Sequence, residues 1–207
     1  FSYTTAIANR DGATAVITKH KIYLLGGQQG NSVYNTIQEA DINSEGRISS
    51  NFITSSYTLA SATAEASVVV TNSRLYLLGG IKSSYNASNF IQYISFSGGT
   101  NNYYSLDRKH IRELNNDNNT KYLYKNALPH TQQFDFNSTQ SGDITGWAAT
   151  TNFPINIEKH ILFTLGGKVY IVGGYSTNSV NSVYSAVTNS DGSIGSWSSE
   201  TNFPINI

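Results

Sequence analysis

"KIYLLGG", at residues 21–27, returns as "RLYLLGG" at 74–80 and as "KVYIVGG" at 168–174. Each copy is an apolar run of strand length closed by two glycines. A run of this kind, without polar alternation, suits a strand buried on both faces. The glycine pair marks a strand end where the backbone turns sharply or passes a neighbour too closely for a Cβ. The first two copies start 53 residues apart, and the second and third 94 apart, or two steps of 47. Periods of this length signal a repeat architecture. A degenerate copy is therefore expected in the gap, and "RKHIRELNNDNNTKYLYKN" at 108–126 lines up with "EKHILFTLGGKVYIVGG" at 158–174. Lys109-His110 and Lys159-His160 lie 50 apart, as do Trp147 and Trp197. These spacings predict four units, approximately 1–54, 55–105, 106–154 and 155–207.

The fourth unit shows the internal plan. "HILFTL" at 160–165 is a strand, Gly166-Gly167 is a two-residue hairpin signal, and "KVYIV" is the return strand. After Gly173-Gly174 come a polar loop, "NSVYSAVTN", the turn "SDG" and "SIGSW". That makes four short antiparallel strands per unit, with no helical periodicity. "TNFPINI" stands both at 151–157 and at 201–207. It is expected to link the outer strand of one unit to the inner strand of the next, with Phe153 and Phe203 wedged between units. The opening "FSYTTAIANRDGATAVIT" matches "SSYTLASATAEASVVVT" at 55–71, so the units begin at equivalent points.

Composition narrows the classes. Hydrophobic residues make up 39% of the chain and charged residues 13%, about half the usual share, and the formal charge is +0. Nothing here recruits nucleic acid or an anionic membrane, and no apolar run reaches the length of a membrane helix. Without Cys there is no disulfide framework, thiolate metal site or cysteine nucleophile. The chain does not begin with Met and has no signal-peptide pattern, which reads as a processed or excised segment. A hydroxyl-rich, aromatic-rich surface leans towards an exported, cell-surface or virion protein.

Four strands per unit of about 50 residues, the aromatic or aliphatic strand end on Gly-Gly, and the "DGSIGSW" turn resemble kelch repeats of the bacterial and phage type. The resemblance covers nearly the whole chain. The third copy departs from it, lacking the double glycine and carrying "NNDNNT" in its first hairpin. It implies an all-β fold, a β-propeller whose units are four-stranded blades. Such propellers commonly close with more than four blades, so part of a longer ring or array is expected.

Chemical signatures are sparse. "DINSEG" at 41–46 superficially fits a calcium loop, but the equivalent turns lose the oxygen pattern, and a hairpin turn is the favoured reading. His110 and His160 fall where the first two units have Ala13 and Ala66; hydrogen bonding to the next blade is favoured over a shared metal. Three Asn-x-Ser/Thr sequons, at Asn86, Asn118 and Asn137, are what an Asn- and Ser-rich chain gives by chance. No catalytic residue, metal or cofactor is implied. The copper-radical oxidases of the kelch class need a Cys that is absent here.

Two features stand out. Eight of the 26 charged residues lie between Asp107 and Lys125, Lys109 and Arg112 among them. The loops after each second strand are polar and carry aromatics: Gln28, Gln29, Tyr34, Lys82, Tyr85, His130 and Tyr175. With Lys109 and Arg112 they form the expected binding surface, on the face that also carries the links between units. Loops on a rigid scaffold are free to vary, and Tyr, Asn and Gln suit protein or sugar surfaces. The expected function is a non-enzymatic binding or structural module recognising protein or glycan, further blades or domains of the same full-length chain being other partners. The alternative is a carbohydrate-active enzyme, a sugar epimerase or lyase. Gly26, Gly27, Gly79, Gly80, Gly173, Gly174, Trp147, Trp197, Phe153 and Phe203 are expected to be structural.

Overall fold

The computed structural model describes residues 9–18, 20–71, 74–82, 86–95, 104–106 and 147–205. All regular structure among them is β. The first sheet contains β1 (Thr14–Ile17) and β2 (Lys21–Leu25); a small ribbon, β3 (Gln28–Gln29) with β4 (Ser32–Val33), precedes its outer strands β5 (Thr36–Asp41) and β6 (Ile53–Thr58). The second begins with β7 (Ser67–Val70) and β8 (Arg74–Leu78), followed by a ribbon of β9 (Ile81–Lys82) and β10 (Asn86–Ala87), and then β11 (Ile91–Ser95). Next in the chain are β12 (Tyr104–Leu106) and β13 (Ala148–Ala149). The third sheet is β14 (Ile161–Leu165), β15 (Lys168–Val172), β16 (Val183–Thr188) and β17 (Ile194–Ser199). Every pairing is antiparallel: β1-β2-β5-β6 with β12 added beside β1, then β7-β8-β11-β13, then β14-β15-β16-β17.

The second sheet takes its last strand from further along the chain. Its fourth strand is Ala148–Ala149, paired with Tyr93 and Gln92, from the stretch assigned above to a separate unit at 106–154. Trp147 packs against the core between the first and second sheets, as Trp197 packs against the core between the second and third. The 50-residue tryptophan spacing thus joins the outer strands of adjacent sheets. The predicted second strand "TKYLYKN" lies outside the described residues.

The continuous apolar runs are explained by burial on both sides. In β8, Leu75 and Leu77 face the first sheet, joining Val16, Tyr23, Leu25, Ile37 and Leu59. The alternate residues Tyr76 and Leu78 face the third, with Val169, Ile171, Phe153 and Ile157. Successive side chains of a strand point to opposite faces, so a sheet between two others needs apolar residues at every position. Two apolar seams hold three sheets together. Beyond the core, Thr71 Oγ1 and Tyr76 OH donate to the Gly192 carbonyl at 2.7 and 3.1 Å, tying the second sheet to the β16–β17 turn of the third.

The glycine pairs sit at the link. All six have positive φ, from 58° to 105°. Gly27 N–H donates to the Thr63 carbonyl at 2.8 Å, and Gly80 N–H to the Ile157 carbonyl at 2.9 Å. Thr63 and Ile157 occupy the same place in the links that enter the second and third sheets. The "DINSEG" segment is a hairpin turn: Asn43 Oδ1 accepts the backbone N–H groups of Glu45 and Arg47, and Gly46 N–H donates to the Asn43 carbonyl.

Candidate functional site

One end of each sheet is built from the same two pieces, the link that enters the inner strand and the loop that leaves the second strand. They are stitched together by single antiparallel bridges, Asp11 to Gln28, Ala64 to Ile81 and Glu158 to Tyr175. Each bridge directly follows a double glycine, whose positive φ lets the strand bend towards the link.

Around these bridges every sheet carries a cation over an aromatic ring. The Arg10 guanidinium lies 4.8 Å from the Tyr34 ring centre, Lys82 Nζ 4.9 Å from Phe90, and Lys159 Nζ 6.0 Å from Tyr175. Such pairs fix the tilt of a ring and keep a cation at the surface, at about 0.5–1 kcal/mol where exposed. Arg10 also donates to the carbonyls of Gly26 and Thr36 at 2.8 and 3.0 Å, and to Thr36 Oγ1 at 2.6 Å. Burial lowers its pKa, opposed by a charge interaction with Tyr34, and its hydrogen bonds to Gly26 and Thr36 brace the loop. Tyr34 OH in turn donates to Gln29 Oε1 at 3.2 Å.

The links also meet one another. Gly12, Glu65 and Lys159 occupy equivalent places, each left-handed and each one residue before the position of Ala13, Ala66 and His160. Glu65 N–H donates to the Gly12 carbonyl at 2.7 Å, and Lys159 Nζ stands 3.8 Å from Glu65 and 3.9 Å from Glu158. A left-handed Glu and Lys each cost about 1 kcal/mol or more relative to glycine. The result is a charged group at the meeting of the links, with Lys159 exposed and the two carboxylates buried beside it.

Among the predicted binding residues, the structure brings Gln29 and Tyr34 together with Arg10, places Gln28 on the Asp11 bridge, sets Lys82 on Phe90, and sets Tyr175 beside Lys159 and Glu158. Tyr85, Lys109, Arg112 and His130 lie outside the described residues. Sequence reasoning missed Arg10, Glu65, Glu158 and Lys159 as site residues. Their alignment immediately before each inner strand was the available signal.

His160 differs from its expectation. It is 6% exposed, and neither ring nitrogen has a hydrogen-bond partner among the described residues; its backbone carbonyl accepts from Ser67 Oγ at 3.0 Å. The ring fills the space over Gly79, and burial pushes its pKa down to about 4. Among the described residues, no group of three or more His, Asp or Glu side chains is arranged to hold a metal ion.

Phe153 and Phe203, expected to behave alike, do not. Phe153 is 1% exposed, with Tyr184 and Trp197 edge-on at 5.0 Å each, whereas Phe203 is 42% exposed.

No family model and no curated protein matches the chain. Among solved structures, the one titled "Structure of YjhT" is similar over 94% of this chain, with a TM-score of 0.56 and 13% identity. The chain spans 52% of that structure's length. At this identity the likeness speaks to the arrangement of sheets alone.

Proposed function

We propose that the chain is part of a kelch-like β-propeller, each sheet a blade, and that it works as a non-enzymatic binding module of an exported, cell-surface or virion assembly. Its partner is a protein or a glycan, held by the loops at the link end. The observation that carries this reading is the repetition of one device, a cation–aromatic pair beside the link bridge, in all three sheets: Arg10 with Tyr34, Lys82 with Phe90, Lys159 with Tyr175. The core does not need it, because two of the cations, Lys82 and Lys159, stand at the surface with exposed Tyr175. Rings held at a fixed tilt offer flat contact area at little entropic cost, and adjacent Gln and Lys side chains supply adaptable hydrogen bonds. Closely set sheets keep the three pairs in a constant relation, as recognition of an extended surface requires.

Binding is tested by screening the 207-residue chain on arrays of glycans and candidate surface proteins, then measuring Tyr34→Ala and Tyr175→Ala against the best hit. Each variant is expected to weaken binding at least five-fold while leaving thermal unfolding within about 2 °C for Tyr175→Ala, whose ring is largely exposed. Undiminished binding in both variants, or turnover of a sugar by the isolated chain, would defeat the proposal.

A further inference from the structure

The charges at the link end cancel. The link ends at 10–13, 63–66 and 157–160 and the loops at 28–35, 81–90 and 175–182 hold three cations, Arg10, Lys82 and Lys159, and three carboxylates, Asp11, Glu65 and Glu158. His160 adds no charge at neutral pH, since burial holds its pKa down to about 4. Most of these groups are also engaged locally. Arg10 donates to two carbonyls and a hydroxyl of its own loop, and Asp11 Oδ1 accepts from Gly12 N–H at 2.8 Å. Lys159 stands 3.8 Å from Glu65 and 3.9 Å from Glu158. A charged ligand would have to compete with these contacts, so the face suits a partner without charge.

What it offers instead is rings set among neutral hydrogen-bonding groups. Tyr175 is 42% exposed, and its cation is the most distant of the three, at 6.0 Å. Tyr34 OH donates to Gln29 Oε1 at 3.2 Å, which leaves the Gln29 amide N–H groups without a partner among the described residues. Five of the eight residues at 28–35 and six of the eight at 175–182 are Asn, Gln, Ser or Thr. The exposed large aliphatic side chains, Ile53, Ile161, Leu165, Val187 and Ile205, all lie outside these link ends and loops. A protein interface is centred on apolar anchors that become fully buried. Sugars make a different demand: their C–H faces lie against the negative face of an aromatic ring, and their hydroxyls exchange hydrogen bonds with amides and hydroxyls.

We infer that the link end binds a neutral glycan, as an extended chain laid across the sheets and not as a single sugar. Each sheet carries one ring–cation pair, and packed sheets lie about 10 Å apart. One sugar can therefore cover one ring, whereas an oligosaccharide reaches from one sheet to the next. Tyr175 is the main platform, and Tyr34 with Gln29 is the next. Several weak contacts along one chain add up to useful affinity without any deep pocket. The inference rests on the loop-face reading proposed above and narrows its partner to one class.

The test titrates the 207-residue chain with cellohexaose, xylohexaose, mannohexaose and chitohexaose, with their monosaccharides, and with hyaluronan as an acidic probe, each read by calorimetry. At least one hexaose is expected to bind with a Kd of about 1 mM or tighter. It should bind at least ten-fold more tightly than its monosaccharide, and change less than two-fold between about 0.05 and 0.5 M salt. Tyr175→Ala should weaken that binding at least five-fold and Gln29→Ala at least three-fold, while Tyr57→Ala, which removes a comparably exposed ring on β6, leaves it unchanged. Should Tyr175→Ala lower the unfolding midpoint, Gln29→Ala decides. Binding of none of the hexaoses, equal affinity for hexaose and monosaccharide, or a preference for hyaluronan that falls steeply with salt would overturn the inference. A surface protein bound through Tyr34 and Tyr175, with no glycan bound, would overturn it too and leave the loop-face reading in place. If Tyr34→Ala and Tyr175→Ala bind every ligand as the parent does, the loop-face reading itself fails.

Discussion

His160 stands where the other two sheets have alanine, and its imidazole is enclosed without a hydrogen-bond partner among the described residues. Charging it there would strand a cation in an apolar seam, which is why its pKa falls to about 4 from an ordinary 6.5. The unfolded chain therefore binds one more proton than the folded chain between these values. Stability is unaffected above about pH 6.5, declines as pH falls towards 4, and flattens below, for a total near ~3 kcal/mol. Urea titrations of the chain and of His160→Gln across pH 4–7 should show this decline in the first and its loss in the second. The chain itself made this residue's position legible, since it aligns with Ala13 and Ala66. Its lack of partners was not legible, because partners come from other sheets.

The strand ends carry the next level of order. Gly79 and Gly166 have nearly the same φ, 63° and 58°, yet their surroundings differ. A Cβ on Gly79 would stand 2.5 Å from the Ile157 carbonyl oxygen and 2.9 Å from the His160 ring, while one on Gly166 would meet nothing within 4 Å. Both substitutions to Ala bear the cost of left-handed backbone, about 1 kcal/mol. Only Gly79→Ala must also push the link away and break the Gly80 to Ile157 hydrogen bond. It should therefore cost at least ~2 kcal/mol more than Gly166→Ala in paired denaturant titrations. The motif announced a glycine requirement at both places. The difference between a turn and a close approach depends on a link 78 residues further along the chain, from Gly79 to Ile157, and no local pattern encodes it.

Taken as a whole, the described residues form a row of three sheets joined by two apolar seams, so stability is approximately a sum of sheet and neighbour contributions. The second sheet has a neighbour on each face, while the third has one packed face and one lined by Ile161, Leu165 and Val187. Amides of β15 and β16 should therefore open at lower free energy than those of β2 and β8. Native-state exchange at low denaturant should show this as protection at least ten-fold weaker in the third sheet. Equal protection in all three would mean that the seams contribute little.

Much of this was readable from the chain alone: the strand class, the four-strand plan, the hairpin turns and the glycine ends. These depend on alternation, apolar run length and backbone sterics, which act over a few residues. The loop aromatics Tyr34 and Tyr175 were readable too, because they follow the glycine pairs. Arg10, Glu65, Glu158 and Lys159 came to light only when the links were seen laid against the loops. The same limit applies to pairing. Trp147 and Trp197 announced a 50-residue step, but only the pairing of β11 with β13 shows which sheet receives Ala148–Ala149. It applies most plainly to the two identical heptapeptides. One is buried and the other exposed, because burial belongs to the neighbour that covers a residue and not to the residue's own sequence.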